Sequence, residues 1–260
     1  MKISRYFIIL LINSVFVLSL ISGCLNNKSG ESEFLPNPEI RFTPALTLII
    51  TNKYLEKSEI GNCEVVFSKT ADMQNPFYRT RIGNQNWPEM KFYTENVTAG
   101  DVFYAGIFVD YDTNLEPTIG IDPIGGGYAN FLDSKLDGKI EISKFNPTTV
   151  EIKLLKPIKG LAPGMNCLGT TTKPAFSWSK PAGINLFEIT VYHPDKSYVY
   201  WRARTYKNAL TYGDIDYSSG DIEMSAMKQI PADEKSWWHL KGYNINNELW
   251  AYSKSLNFLP

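Results

Sequence analysis

The strongest constraint on this 260-residue chain is a two-residue period of apolar side chains, carried in short runs that Gly, Pro, Asn and Asp interrupt. Thr149-Val150-Glu151-Ile152-Lys153-Leu154 sets Val150, Ile152 and Leu154 on one face and Thr149, Glu151 and Lys153 on the other. Phe187 to Tyr192 and Lys139 to Ile142 repeat the alternation, while Asp101 to Val109 is apolar enough for a central strand buried on both faces. Successive strand residues point to opposite sides of a sheet, so these runs read as strands rather than helices. Frequent punctuation of short strands favours sandwiches. Only Asp133–Leu136 and Ser219–Lys228 look mildly helical. The expected class is all-β, with two β-sandwich modules.

The first residues carry an address. Lys2 and Arg5 supply positive charge, Phe7 to Leu20 is a short apolar run, and Ile21-Ser22-Gly23 places small residues before Cys24. That order describes a secretory signal over residues 1–23, and its apolar run is shorter than the roughly 20 residues that span a bilayer comfortably. Ile21-Ser22-Gly23-Cys24 resembles the lipobox of prokaryotic lipoproteins. The resemblance implies that Cys24 is lipidated and becomes the first mature residue, which anchors the chain to a membrane on its extracytoplasmic side, at the cell surface or in the periplasm. An uncleaved anchor helix with an incidental cysteine is the competing reading, and it tethers the chain to the same side.

Residues 24–38 follow as a polar stalk broken by Pro36 and Pro38, too poor in apolar surface to offset its ordering entropy. Asn27-Lys28-Ser29 and Asn96-Val97-Thr98 are sequons, relevant only where the host glycosylates exported proteins. Loss of Lys2 and Arg5 with the signal leaves 24 basic against 27 acidic groups, a formal charge of −3 rather than −1. A slightly acidic chain has no basic footprint for nucleic acid.

Residues 156–169 concentrate Pro and Gly and separate a module at 39–156 from a second at 170–260. Lys173-Pro174-Ala175-Phe176-Ser177-Trp178, the Pro181-Ala182-Gly183 turn, Leu186 to Val191, Tyr200-Trp201 and Leu249 to Ser253 make the second module resemble a prokaryotic fibronectin type III-like domain. In that resemblance Trp178 is the core Trp, and Leu240-Lys241-Gly242 with Tyr243 is the corner before a late strand. The segment Asp214–Ser236 is long for such a domain, which leaves the register there open. Asn96 to Tyr104, Gly106 to Asp112, Pro117 and Ile124-Gly125-Gly126-Gly127-Tyr128 make the first module resemble transthyretin-like or carboxypeptidase-regulatory-like sandwiches. Both resemblances imply immunoglobulin-like sandwiches, and neither fold decides a function.

Asp110-x-Asp112-x-Asn114-x-Glu116, with Asp122 nearby, puts oxygen-bearing side chains at alternate positions after a strand. Ca²⁺ takes about six to eight oxygens, and alternate loop positions converge on one centre in the first part of an EF-hand loop. Leu115 stands where that loop needs Gly, and Ile121 where it needs Glu. The loop is therefore either a calcium site or an acidic turn of the kind Asp and Asn favour. After lipidation of Cys24, Cys63 and Cys167 remain, an even pair expected to form a disulfide in an exported chain.

Signs of catalysis are few. His193 precedes a Pro194-Asp195 turn, His239 follows Trp237-Trp238, and no nucleophile elbow, zinc-protease motif or phosphate loop occurs. Gly125-Gly126-Gly127 reads as a flexible turn with no helix start behind it. Trp237 and Trp238 point to opposite faces of one strand, so one of them is the ligand-contact candidate. The sequence supports a membrane-anchored, non-catalytic binding or spacer protein with a protein or glycan partner. A glycan-binding surface lipoprotein and an enzyme accessory subunit or hydrolase remain the alternatives. Cys24→Ser is expected to abolish incorporation of a fatty-acid analogue and to leave the precursor uncleaved, as metabolic labelling and mass measurement would reveal.

Overall fold

The alternating runs named above are strands in the computed structural model, which describes residues 45–51, 53–55, 62–82, 89–92, 97–195, 197–214 and 230–260. Cys24, the expected signal peptide and stalk, both sequon asparagines, Trp87 and the 219–228 segment lie outside the described residues. The described residues belong to one unit that runs from Phe42 to Pro260.

The first module holds β1 (Leu46–Thr51), β2 (Cys63–Ser68), β3 (Pro76–Arg81), β4 (Glu89–Phe92), β5 (Val102–Val109), β6 (Ile124–Gly126), β7 (Lys139–Glu141) and β8 (Thr148–Lys153). One sheet has the order β4-β1-β8, with β1 antiparallel to β4 and parallel to β8. The other runs β3-β2-β5-β6, with β7 beside β5. Leu46, Leu48 and Ile50 of β1 meet Val65, Phe67, Ile107 and Val109 of the second sheet in a closed core. Each such side chain contributes roughly 1.5–3 kcal/mol through burial. Ser134–Leu136 forms a single 3₁₀ turn, where mild helicity was expected.

The glycine run corrects the expectation of a flexible turn. Gly125 and Gly126 are buried within β6 and pair with β5. A Cβ on Gly125 would stand 2.2 Å from the Lys153 carbonyl oxygen, and one on Gly126 2.0 Å from that of Ala105. Gly126 also holds φ 59° and ψ −139°, a region essentially closed to other residues. The glycines are there for close backbone approach.

The second module adds β9 (Lys156–Pro157), β10 (Cys167–Leu168), β11 (Ala175–Ser177), β12 (Leu186–Tyr192), β13 (Val199–Thr205), β14 (Ala209–Thr211), β15 (Ser236–Tyr243), β16 (Leu249–Tyr252) and β17 (Leu256–Leu259). The small sheet is β11-β14, and the large one runs β10-β17-β15-β12-β13 with β16 on β15. Trp178, Trp201, Trp238 and Trp250 fill the core between them. The architecture is thus all-β, built as immunoglobulin-like sandwiches. Leu240 to Tyr243 is not a corner, because it lies inside β15 and the hairpin turn comes only at Asn244–Glu248. Gly242 serves packing there, since its Cβ would come within 2.8 Å of Ile184 and 2.9 Å of Ala251.

The Pro- and Gly-rich segment 156–169 is zipped into the second module. β9 runs parallel to β16, β10 runs parallel to β17, and Ala162 bridges to Ser177. A shared cluster of Val66, Phe108, Ile124, Leu132, Leu155 and Tyr252 joins the halves. Tyr252 donates its hydroxyl to the Asp122 carbonyl at 2.6 Å and accepts from the Gly120 N–H at 3.1 Å. Nearby, Tyr54 packs edge-on against Trp250 at 5.5 Å, and Lys53 pairs with Glu248 at 3.1 Å.

The expected Cys63–Cys167 disulfide is not formed, and both thiols are free. Cys63 is sealed in the first core, whereas Cys167 packs against the second. Burial, and then neighbouring Glu64, pushes the Cys63 thiol up to about 12, so it behaves as a small core hydrophobe. For the seam between modules, Tyr252→Phe is expected to strand one buried carbonyl and one amide at a cost of about 1–3 kcal/mol. Denaturant unfolding should show a lower midpoint with an unchanged slope.

Candidate functional site

The acidic loop begins where β5 ends. The chain reverses through Thr113 at φ 58° and Leu115 at φ 66°, both in the left-handed region that side chains disfavour. This geometry aims backbone amides at Asp110, whose two carboxylate oxygens accept from Asn114 N–H and Leu115 N–H, each at 3.1 Å. Asp122 closes the other end and accepts from Tyr111 N–H and Thr118 N–H, each at 2.8 Å. Hydrogen bonds to a charged acceptor contribute about 1.5–3 kcal/mol each, enough to offset the strained φ values. Burial pushes the Asp122 carboxyl up, the two amides pull it down, and the charges of Asp112 and Asp110 raise it further.

Of the five expected metal ligands, the fold brings three together. Single oxygens of Asp110, Asp112 and Asp122 lie within 4.8 Å of one another, with Asp112 exposed and the other two buried. Asn114 turns its amide to Asp112 at 3.1 Å and to Thr118 at 2.7 Å. Glu116 does not join them. It is exposed and lies 3.7 Å from Arg79. Asp110, Asp112 and Asp122 are the residues that could hold a cation, with four backbone amides already on the two buried carboxylates.

The same loop is one wall of a groove that sequence reading missed. A cavity of about 910 Å³ lies over the outer face of the five-stranded sheet. That volume is at the upper end of ordinary ligand clefts, about 300–1,000 Å³. Val66, Met73, Gly127 and Tyr128 line it together with Phe77 to Arg79, with Glu116, Pro117 and Ile119, and with Asn130 and Phe131. A side chain on Gly106 or Gly127 would strike Met73, so glycine lets this lining close. Burial, with Glu116 next, pushes the Tyr128 hydroxyl up to about 12.

Arg79 joins two of these segments. Its Nε donates to Glu64 at 2.9 Å, and its guanidinium also donates to the Leu115 carbonyl and lies over the Phe108 ring. Arg81 gives Glu64 a second bond at 2.8 Å. Burial raises the Glu64 carboxyl, but the two arginines outweigh it and hold it below its ordinary value. Phe77 is 48% exposed and Phe131 55% exposed, and each leaves roughly 1 kcal/mol of burial unrealised. The sequence held no local signal for this, because a bulge opposite Phe67 and Ser68 brings both Phe77 and Tyr78 against the buried Phe67 ring.

The tryptophan pair divides as the strand period requires. Trp238 is fully buried and donates to the Pro163 carbonyl at 3.2 Å, which removes it as a contact candidate. Trp237 lies half-buried on the opposite face of β15. His193 is held by Asp195 at 2.6 Å and lies 3.4 Å from Glu234. His239 faces a smaller cleft of about 240 Å³ with Thr190, Tyr192 and Arg202, closed on one side by Phe131 and Leu132.

No family model matches the chain. No curated protein matches it either. Among solved structures it is similar to the FN1–FN3 domains of chicken CNTN1, at 5% identity over 82% of this chain and 63% of that one, with a TM-score of 0.29. It is similar to a DUF3823 family protein from Parabacteroides merdae at 8% identity, over 82% of this chain and 96% of that one, with a TM-score of 0.25. An alpha-L-rhamnosidase from Dictyoglumus thermophilum matches at 14% identity and a TM-score of 0.29, over 40% of this chain but only 12% of the enzyme. Likeness at this level carries no activity across, and the sandwich assignment rests on the strand order itself.

The loop geometry separates the two kinds of aspartate. Asp110→Ala is expected to cost about 2–3 kcal/mol, because two amides lose a charged acceptor. Asp112→Asn removes an exposed charge beside buried ones and should raise the melting midpoint at neutral pH by about 1–2 °C. A carboxyl raised in the fold, as Asp122 is, contributes stability below its unfolded pKa that is lost as pH rises through its folded value. The Asp112→Asn gain should therefore vanish near pH 3, which melting curves at the two pH values would check.

Proposed function

We propose that this chain is a non-catalytic binding protein, held on the outer face of a membrane by lipid on Cys24 and using the groove of its first module to engage a partner. The observation that carries the reading is the groove itself, a cleft of about 910 Å³ whose rim exposes Phe77 and Phe131. Each ring leaves about half of its apolar surface for a partner to cover. The described groove-lining residues supply rings, amides and charges but include no Ser, Cys or His.

A glycoside hydrolase of the usual acid–base kind would need one carboxyl in the groove kept protonated near neutral pH. Asp72 moves the other way, since bonds from Thr70 and the Gln74 N–H hold its carboxyl below the ordinary value. The second module is best read as fibronectin type III-like, with Trp178 packed between β11-β14 and the large sheet. The proposed stalk would carry the groove clear of the headgroups.

Calcium is a second reading, favoured by the approach of Asp110, Asp112 and Asp122. A cation there would brace the loop that walls the groove. A melting midpoint raised by millimolar Ca²⁺ in the wild type and not in Asp112→Asn supports it, and an unmoved midpoint removes it.

To test the binding reading, the full chain purified in detergent would be titrated onto delipidated envelope preparations of its own host, which offer the Cys24 lipid no bilayer to enter. Phe77→Ala with Phe131→Ala should weaken retention at least about tenfold. Melting should shift little, because both side chains are exposed. Retention that ignores both substitutions would make the chain a spacer.

A further inference from the structure

Resting on the binding reading above, we propose that the groove takes a neutral carbohydrate chain. The first ground is the pose of the two exposed rings. Phe77 stands edge-on to Phe103 at 5.8 Å, and Phe131 stands edge-on to Tyr252 at 6.2 Å. Each ring is braced from behind by a buried aromatic and keeps about half its surface in solvent. A preset ring offers a flat apolar face at little entropic cost, and the C–H face of a pyranose matches it.

The second ground is the mixture of polar groups that line the groove beside the rings. Gln74 and Asn130 donate and accept, whereas Asp72 and Glu116 only accept. A hydroxyl needs both kinds of partner, and a sugar presents several hydroxyls in a row. An apolar lipid would desolvate the carboxylates without compensating them.

The third ground is charge. The guanidinium in the groove wall, Arg79, is already engaged by Glu64 at 2.9 Å and lies 3.7 Å from Glu116. The groove-lining charges, Asp72 and Glu116 against Arg79, therefore leave a net negative charge and no unengaged cation among the described groove-lining residues. An anionic ligand such as a phosphate or an acidic glycan meets repulsion there. An extended peptide could add to the outer edge of β3, which pairs only with β2 among the described residues. It would bind through main-chain bonds and leave the amides of Gln74 and Asn130 without a role.

Affinity electrophoresis of the full chain in detergent would decide the matter. The native gels would contain a β-glucan, a xylan, a mannan or an α-glucan, with polygalacturonate as the acidic comparison. Retardation by at least one neutral polymer is expected, insensitive to added salt. It should be lost in Phe131→Ala and weakened about tenfold in Gln74→Ala, with unchanged melting midpoints. Retardation by polygalacturonate alone, by none of the polymers, or equally in wild type and variants overturns the carbohydrate assignment. If envelope binding stays sensitive to Phe77→Ala with Phe131→Ala while no glycan binds, the assignment falls and the binding reading stands. If envelope binding is also insensitive, both fall.

Discussion

The hydroxyl of Tyr252 is where the two halves of this molecule become one. It is buried, and burial raises its pKa well above the usual phenol range, so it remains a donor. It gives its proton to the Asp122 carbonyl and takes one from the Gly120 amide. Those backbone groups belong to the far end of the acidic loop, so a strand of the second module sets the position of a loop from the first. The near end is held by Asp110, whose carboxylate gathers the amides of Asn114 and Leu115. A loop fixed at both ends can serve as a wall, and this one walls the groove.

The groove exists because the outer face of the five-stranded sheet is only partly covered. Met73 and Tyr128 fold over Gly106, and Phe108, Ile124 and Leu155 pack into the cluster shared with Tyr252. Covering stops at β3, where Arg79 and Arg81 converge on the buried Glu64. A buried carboxylate is tolerable only with such partners. The arginines that satisfy it also keep that end of the face polar. Aromatic rings at the rim, amides and carboxylates between them and an engaged cation below follow from one arrangement.

Much of this was legible in the residues. Alternation located strands such as β7, β8 and β12, because one face of each had to find apolar neighbours, and a continuous apolar run located β5. The fibronectin type III-like resemblance implied that Trp178 is core, and it is buried just after β11. The aspartates of the 110–122 loop were legible as a group, though not that two of them would turn inward to bind backbone amides while Glu116 turned away to Arg79. Gly125-Gly126-Gly127 looked like slack and proved to be close packing, which depends on carbonyl oxygens of Ala105 and Lys153 that are distant in sequence. Cys63 and Cys167 looked like a pair, but pairing depends on separation in space. Each belongs to a different core.

By itself the sequence determined the class of structure, because strand periodicity is a local pattern. Only the tertiary structure decided where the binding face lies. Phe77 and Phe131 come from distant parts of the chain, and nothing local marks either as exposed. They become the rim of a groove through the packing of β3 on one side and the seating of residues 127–132 against Tyr252 on the other. Exposure is a property of what the rest of the chain leaves uncovered, and no single segment encodes it.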